Sequence, residues 1–123
     1  MVLESKNFSI NLVNFRFLDK IRLKNFSRGR MIIGSIIFDF HIPYSNSLKE
    51  KRMVVRSVKE KLKSKFNVSV SEVGNQDLWQ SAQIAVVTVA PDQKQVEKVM
   101  QNVINFVEAN FPELHINIYK ELI

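Results

Sequence analysis

From Ile32 onward the chain alternates sharply. Ile32, Gly34, Ile36, Phe38, Phe40 and Ile42 fall on one side of a β-prone run, and Ser35, Ile37, Asp39 and His41 fall on the other. A period of two with one apolar side predicts a strand packed on a core. Pro43-Tyr44-Ser45-Asn46 ends it, because Pro lacks the ladder donor and Ser and Asn favour turns. The period then changes to that of a helix over Ser47 to Phe66, where Val55, Val58 and Leu62 form one apolar stripe, with Leu48 and Phe66 near its ends. Ser47 and Glu50 have the spacing of a capping box. In that motif Ser47 accepts from the N–H of Glu50 and the Glu50 side chain accepts from the N–H of Ser47.

The second half repeats the theme. Asn67 to Val73 reads as a weaker strand, Gly74-Asn75-Gln76 supplies turn chemistry, and Ala82 to Ala90 reads as a third strand after Asp77-Leu78-Trp79-Gln80. Pro91 ends that strand. Asp92 and Gln95 form a second capping box, and Val96, Val99, Met100, Val103, Phe106 and Val107 then follow a helical period to Asn110. Phe111-Pro112 closes this helix. Leu114, Ile116, Ile118 and Leu122 alternate with His115, Asn117, Tyr119 and Glu121 in a last strand. The order βαββαβ, with right-handed crossovers, predicts an α+β ferredoxin-like sandwich: a four-stranded antiparallel sheet with two helices on one face.

Length and composition fit one compact unit: 123 residues, 46% apolar, no Pro- or Gly-rich linker. The absence of cysteine removes disulfides and thiolate metal sites and fits a reducing compartment. No run of about 18 apolar residues exists, so no membrane partner is expected. Charged residues interrupt residues 1–30, which argues against a secretory signal, and a cytoplasmic protein is the expectation. Residues 1–30 carry seven basic and two acidic side chains, and residues 31–123 carry eleven and ten. We divide the chain into a 1–30 extension and a 31–123 domain. Arg28-Gly29-Arg30 before Met31 reads either as a translated ribosome-binding site or as the end of a basic arm.

Several stretches together resemble a known family. They are Gly34, His41-Ile42-Pro43, Ser47-Leu48-Lys49-Glu50-Lys51-Arg52, Phe66-Asn67-Val68-Ser69-Val70, Glu72-Val73 and Gln76-Asp77-Leu78-Trp79-Gln80. At these spacings Met31 to Ile123 resembles the bacterial YlxP-like proteins, a domain of unknown function. The resemblance implies a ferredoxin-like fold and a small cytoplasmic bacterial protein, often encoded among translation factors. It implies no assigned activity. Members usually begin where Met31 stands.

Charge is concentrated on the first helix, where eight Lys or Arg stand against two Glu between Ser47 and Phe66. Lys49, Lys51, Arg52, Arg56, Lys59 and Lys63 are the candidate nucleic-acid contacts, with structured RNA or a ribosomal particle as the partner, set against the plainer reading of a solvated face. Glu60 can pair with Arg56 or Lys63. Base stacking on the central strands is not expected. Away from the helices the first strand offers Ser35, Ile37, Asp39 and His41, and the third offers only aliphatic or small residues.

That aliphatic third strand, Ile84 to Ala90, is apolar on both sides and calls for a cover on its open face. Ile37 and Val87 are the candidate contacts, with a homodimer as the expected solution and the 1–30 extension as the alternative cover. Trp79, the only Trp, either anchors the hairpin by burial or serves as a surface anchor for a partner. His41 and His115 share no local motif with a carboxylate, so no metal and no cofactor is expected. Asp39 with His41 lacks a nucleophile or phosphate loop. A glycine-rich anion loop with an arginine, as acylphosphatases of this fold use, is missing between the first strand and helix. The expectation is a non-enzymatic protein.

Overall fold

The computed structural model describes residues 31–123; the leader and basic-arm readings of residues 1–30 lie outside the described residues. Six elements follow in the expected order: β1 (Ile32–His41), α1 (Leu48–Lys65), β2 (Ser69–Gly74), β3 (Ser81–Ala90), α2 (Gln93–Asn110) and β4 (His115–Leu122). The strands form one antiparallel sheet in the order β2-β3-β1-β4, with β1 and β3 at its centre. This is the ferredoxin-like α+β fold. α1 lies over β2 and β3, and α2 lies over β1 and β3.

The alternation read in β1 is the alternation observed. Ile36, Phe38 and Phe40 are buried under the helices with Ile84 and Val86 of β3, against Val58 and Leu62 of α1 and Val96, Val103 and Val107 of α2. Gly34 shares their face for a steric reason. A Cβ at this position would collide with Met100 and Val96, so the missing side chain is what lets α2 settle close to β1. The two helices meet at their ends through Phe66 and Phe106, whose ring centroids lie 5.6 Å apart in an edge-to-face contact.

Both helix starts differ from the reciprocal capping box. Ser47 does accept from the N–H of Glu50 at 3.1 Å, but the Glu50 carboxylate accepts from the N–H of Asn46 at 2.9 Å, one residue outside the cap. Asp92 likewise accepts from the N–H of Gln95 at 2.9 Å, while the Gln95 amide donates to the Asp92 carboxylate at 3.0 Å and leaves the backbone alone. A Gln beside a carboxylate has a donor to offer, which a Glu does not.

The deepest departure from the sequence reading is Lys51, which is fully buried. It occupies the place one turn before Val55 on the apolar stripe, so its methylene stem runs into the core and carries the ammonium beneath the β2–β3 loop. There Nζ donates to the carbonyls of Asn75 (2.7 Å), Gln76 (3.0 Å) and Ser81 (3.4 Å). An ammonium has three donors, and these carbonyls take them all. Glu72 on β2 lies 3.3 Å from Nζ through a buried oxygen that makes no hydrogen bond, so it compensates the ammonium as a charge. The loop's shape depends on this clamp. A register shift between Glu72 and Gly74 turns the chain out of β2, and Asn75 adopts φ 61°, the left-handed conformation that Asn tolerates better than most residues.

Replacing Lys51 by Met keeps the stem but leaves three backbone carbonyls and the Glu72 carboxylate uncompensated. Breaking a buried pair from one side costs about 3–5 kcal/mol. Lys51→Met is expected to lower the urea-unfolding free energy by about that amount, and Glu72→Gln by less, about 1–3 kcal/mol, because the carbonyls still hold the ammonium. Equal stability of Lys51→Met and the parent chain would refute this account of the loop. Gly34→Ala is expected to cost about 1–3 kcal/mol by forcing α2 outward.

Candidate nucleic-acid interface and the open sheet face

The cations of α1 separate into three groups. Lys51 points inward and is removed from the candidate contacts, because an ammonium already held by three carbonyls and a carboxylate has nothing to offer a phosphate. Lys61 and Lys65 lie on the side toward α2. Their Nζ atoms sit 5.1 Å and 5.3 Å from the ring centroids of Phe111 and Phe106, within cation–π range. Lys49, Arg52, Arg56, Lys59 and Lys63 remain, and their spacing of 3, 4, 3 and 4 residues puts them on one stripe along the helix. At 1.5 Å per residue the stripe is about 21 Å long.

Arg52, Arg56, Lys59 and Lys63 border a shallow groove between α1 and β2, with Glu60 and Glu72 as its carboxylates. Glu72 is committed to Lys51. Glu60 is exposed, and among the described residues it forms no ion pair with Arg56 or Lys63, so the local pairing expected for it does not form. The stripe thus keeps a surplus of positive charge on a domain whose totals nearly balance. Exposed cations at this spacing can follow a chain of phosphates, since each needs only a point charge near an oxygen.

Among the described residues nothing covers the opposite face of the sheet. Cross-strand pairing sets Ser35 against Val87 and Ile33 against Val89, and Ile37 stands between Ala85 and Tyr119. Val87, Val89 and Tyr119 are exposed and Ile37 is half-buried, so the two residues predicted for a partner contact do share one patch. Toward the far end the face turns polar through Asp39, Gln83 and Asn117 and finishes in His41 and His115. Those histidines are direct cross-strand partners, with ring centroids 5.8 Å apart at 65°. The sequence placed them 74 positions apart, and only the β1–β4 register unites them.

Trp79 is not a buried anchor. Its side is 54% exposed, beside exposed Leu78 on the β2–β3 loop. The loop nevertheless is held at several points. Besides the Lys51 clamp, the Asn75 amide donates to the Ser81 hydroxyl (2.9 Å), and the Gln80 amide donates to the carbonyls of Pro43 and Ser45 (3.2 Å each). These last bonds tie the loop to the β1–α1 turn carrying Tyr44. Partial burial of the Tyr44 phenol, and then the carboxylates of Glu113 and Glu50, raise its pKa above the ordinary tyrosine value. Among the described residues no group of three or more His, Asp or Glu converges as a metal site, and no helix is long and apolar enough to cross a membrane.

A family model described as "Protein of unknown function (DUF503)" matches residues 33–120. The chain belongs to this family. A relative, "Uncharacterized protein YlxP" of Bacillus subtilis (strain 168), is 40% identical over 79 residues, which covers 64% of this chain and 79% of the relative. The match supports the resemblance read from the sequence. Among solved structures, "De novo designed protein Foldit4" aligns with a TM-score of 0.47 at 11% identity, over 75% of this chain and 97% of the designed one. Membership of the DUF503 family fixes kinship and leaves the role of the stripe, the patch and Trp79 to their chemistry.

A raised tyrosine pKa favours the neutral phenol in the folded state. Its stabilisation is therefore present below the ordinary value of about 10 and is lost as pH rises through the higher folded value. Tyr44→Phe should track the parent chain in Tm up to about pH 9 and then lose stability less steeply. Parallel curves above that pH would refute the assignment.

Proposed function

We propose that the protein is a cytoplasmic, non-enzymatic accessory factor that associates with RNA or a ribosomal particle through α1. The observation that carries this reading is the stripe of Lys49, Arg52, Arg56, Lys59 and Lys63, about 21 Å of like charge on a domain whose basic and acidic side chains otherwise favour the acidic. Clustered cations of this kind are the electrostatic footprint of polyanion binding, in which each phosphate neutralised releases counterions. Lys51, although it stands within the same basic run, has no part in it.

The test is affinity for RNA across a salt series. Changing Arg52, Arg56, Lys59 and Lys63 to Gln should weaken binding and lower the slope of log K against log salt by about 3. The chain should stay folded, because these side chains lie outside the core. Binding indifferent to both salt and the four changes would defeat the proposal.

A second reading is favoured by the exposure of Val87, Val89 and Tyr119 around Ile37: a homodimer formed through the open sheet face, with no nucleic-acid role. Contiguous apolar surface on a folded chain commonly marks an interface, and a two-fold pair is the commonest way to cover it. Light scattering of the full chain should report a dimer, and Ile37→Lys with Val87→Lys should give a folded monomer. A monomer before mutation, at high concentration, would remove this reading.

A further inference from the structure

The central strands offer no aromatic platform for bases, but the β2–β3 loop does. Trp79 stands more than half exposed at the rim of a shallow groove lined by His41, Leu78, Gln80 and Ser81. Such exposure of the largest aromatic side chain is commonly a sign of a floppy loop. Here the loop is fixed by Lys51 from below, by Asn75 to Ser81 within, and by Gln80 to the neighbouring turn. The backbone that carries the ring is therefore already ordered, which lowers the entropic cost of binding through it.

We propose that the groove between Trp79 and His41 receives an unpaired base of single-stranded RNA, stacked on the indole. The proposal rests on the RNA reading of the α1 stripe and adds a site to it. Two features favour a base over a peptide side chain. The groove presents flat rings, Trp79 and His41, with His115 set edge-on against His41, and a single aliphatic side chain, Leu78. Flat π-faces suit a planar base, and an apolar anchor residue would find little hydrocarbon to fill against. The loop is also fastened to the start of α1, since Lys51 adjoins Arg52, the second cation of the stripe. The rings open on the face of the sheet away from the helices, so a single strand held along α1 reaches them by passing round this end of the domain. Discrimination between single-stranded and duplex RNA follows, because a paired base has no free face.

Trp79 is the only tryptophan, so its fluorescence reports on this ring alone. The full chain would be titrated with short single-stranded polyadenylate RNA, with a duplex RNA of equal length and with inorganic polyphosphate, while anisotropy of labelled RNA follows binding separately. Single-stranded RNA is expected to quench Trp79, and duplex RNA and polyphosphate to bind without quenching. Trp79→Ala should weaken single-stranded RNA roughly 5- to 100-fold and leave polyphosphate unchanged. His41→Ala should act in the same direction, and Trp79→Phe should recover part of the loss.

If all three polyanions bind alike and Trp79→Ala changes none of them, the stacking site is refuted while the charged stripe stands. If none binds, the RNA reading fails, and the stacking site fails with it. Quenching of Trp79 by an added protein partner but not by RNA would likewise overturn the proposal in favour of a protein anchor.

Discussion

A single buried ammonium decides how this domain is put together at one end. Lys51 joins four pieces of chain: the first turns of α1, the end of β2, the connecting loop and the start of β3. Burying a charge is costly unless it is fully compensated, and here three carbonyls and a carboxylate do so. The loop carbonyls in turn would be left without donors by any apolar residue at this place. Helix and loop therefore hold each other in register.

The clamp also changes what the charge on α1 means. Eight basic residues in one helix suggest a uniformly positive cylinder, yet the fold gives them three separate employments. One is interior. Two stand at the junction of the helices, where Nζ of Lys61 and of Lys65 sits over the rings of Phe111 and Phe106. Five form the outward stripe, with Lys59 half-buried among them. A count of charges overstates the charge a partner would meet, and the direction of each side chain around the helix settles the difference.

Most of the fold was legible because periodicity reports directly on which side of an element is buried. β1 and α2 match their apolar patterns nearly residue for residue, and the caps at Ser47 and Asp92 sit where the short polar side chains stand. The candidate site was less legible. Lys51 reads as surface by residue type, although its position does give it away: Lys51, Val55, Val58 and Leu62 form one continuous helical stripe, and Glu72 shares the inward parity of Val70 on β2. Position outweighed type in both cases. The facing of His41 and His115 carried no local signal, since it follows from the register of distant strands. The exposure of Trp79 was equally hidden, because a loop held by backbone carbonyls leaves no trace in side-chain pattern.

β2 is an edge strand, and its sequence Ser-Val-Ser-Glu-Val-Gly contains no Lys or Pro to discourage another strand from pairing with it. Its one charge, Glu72, is turned toward Lys51. Protection of that edge falls instead to the helix above, whose Arg52, Arg56, Lys59 and Lys63 overhang the groove beside the strand. Two copies approaching edge to edge would bring two such rows together, and like charges at close range oppose the contact. The same row that we propose for a polyanion thus opposes edge-to-edge pairing of the sheet, an opposition that high salt weakens by screening the row.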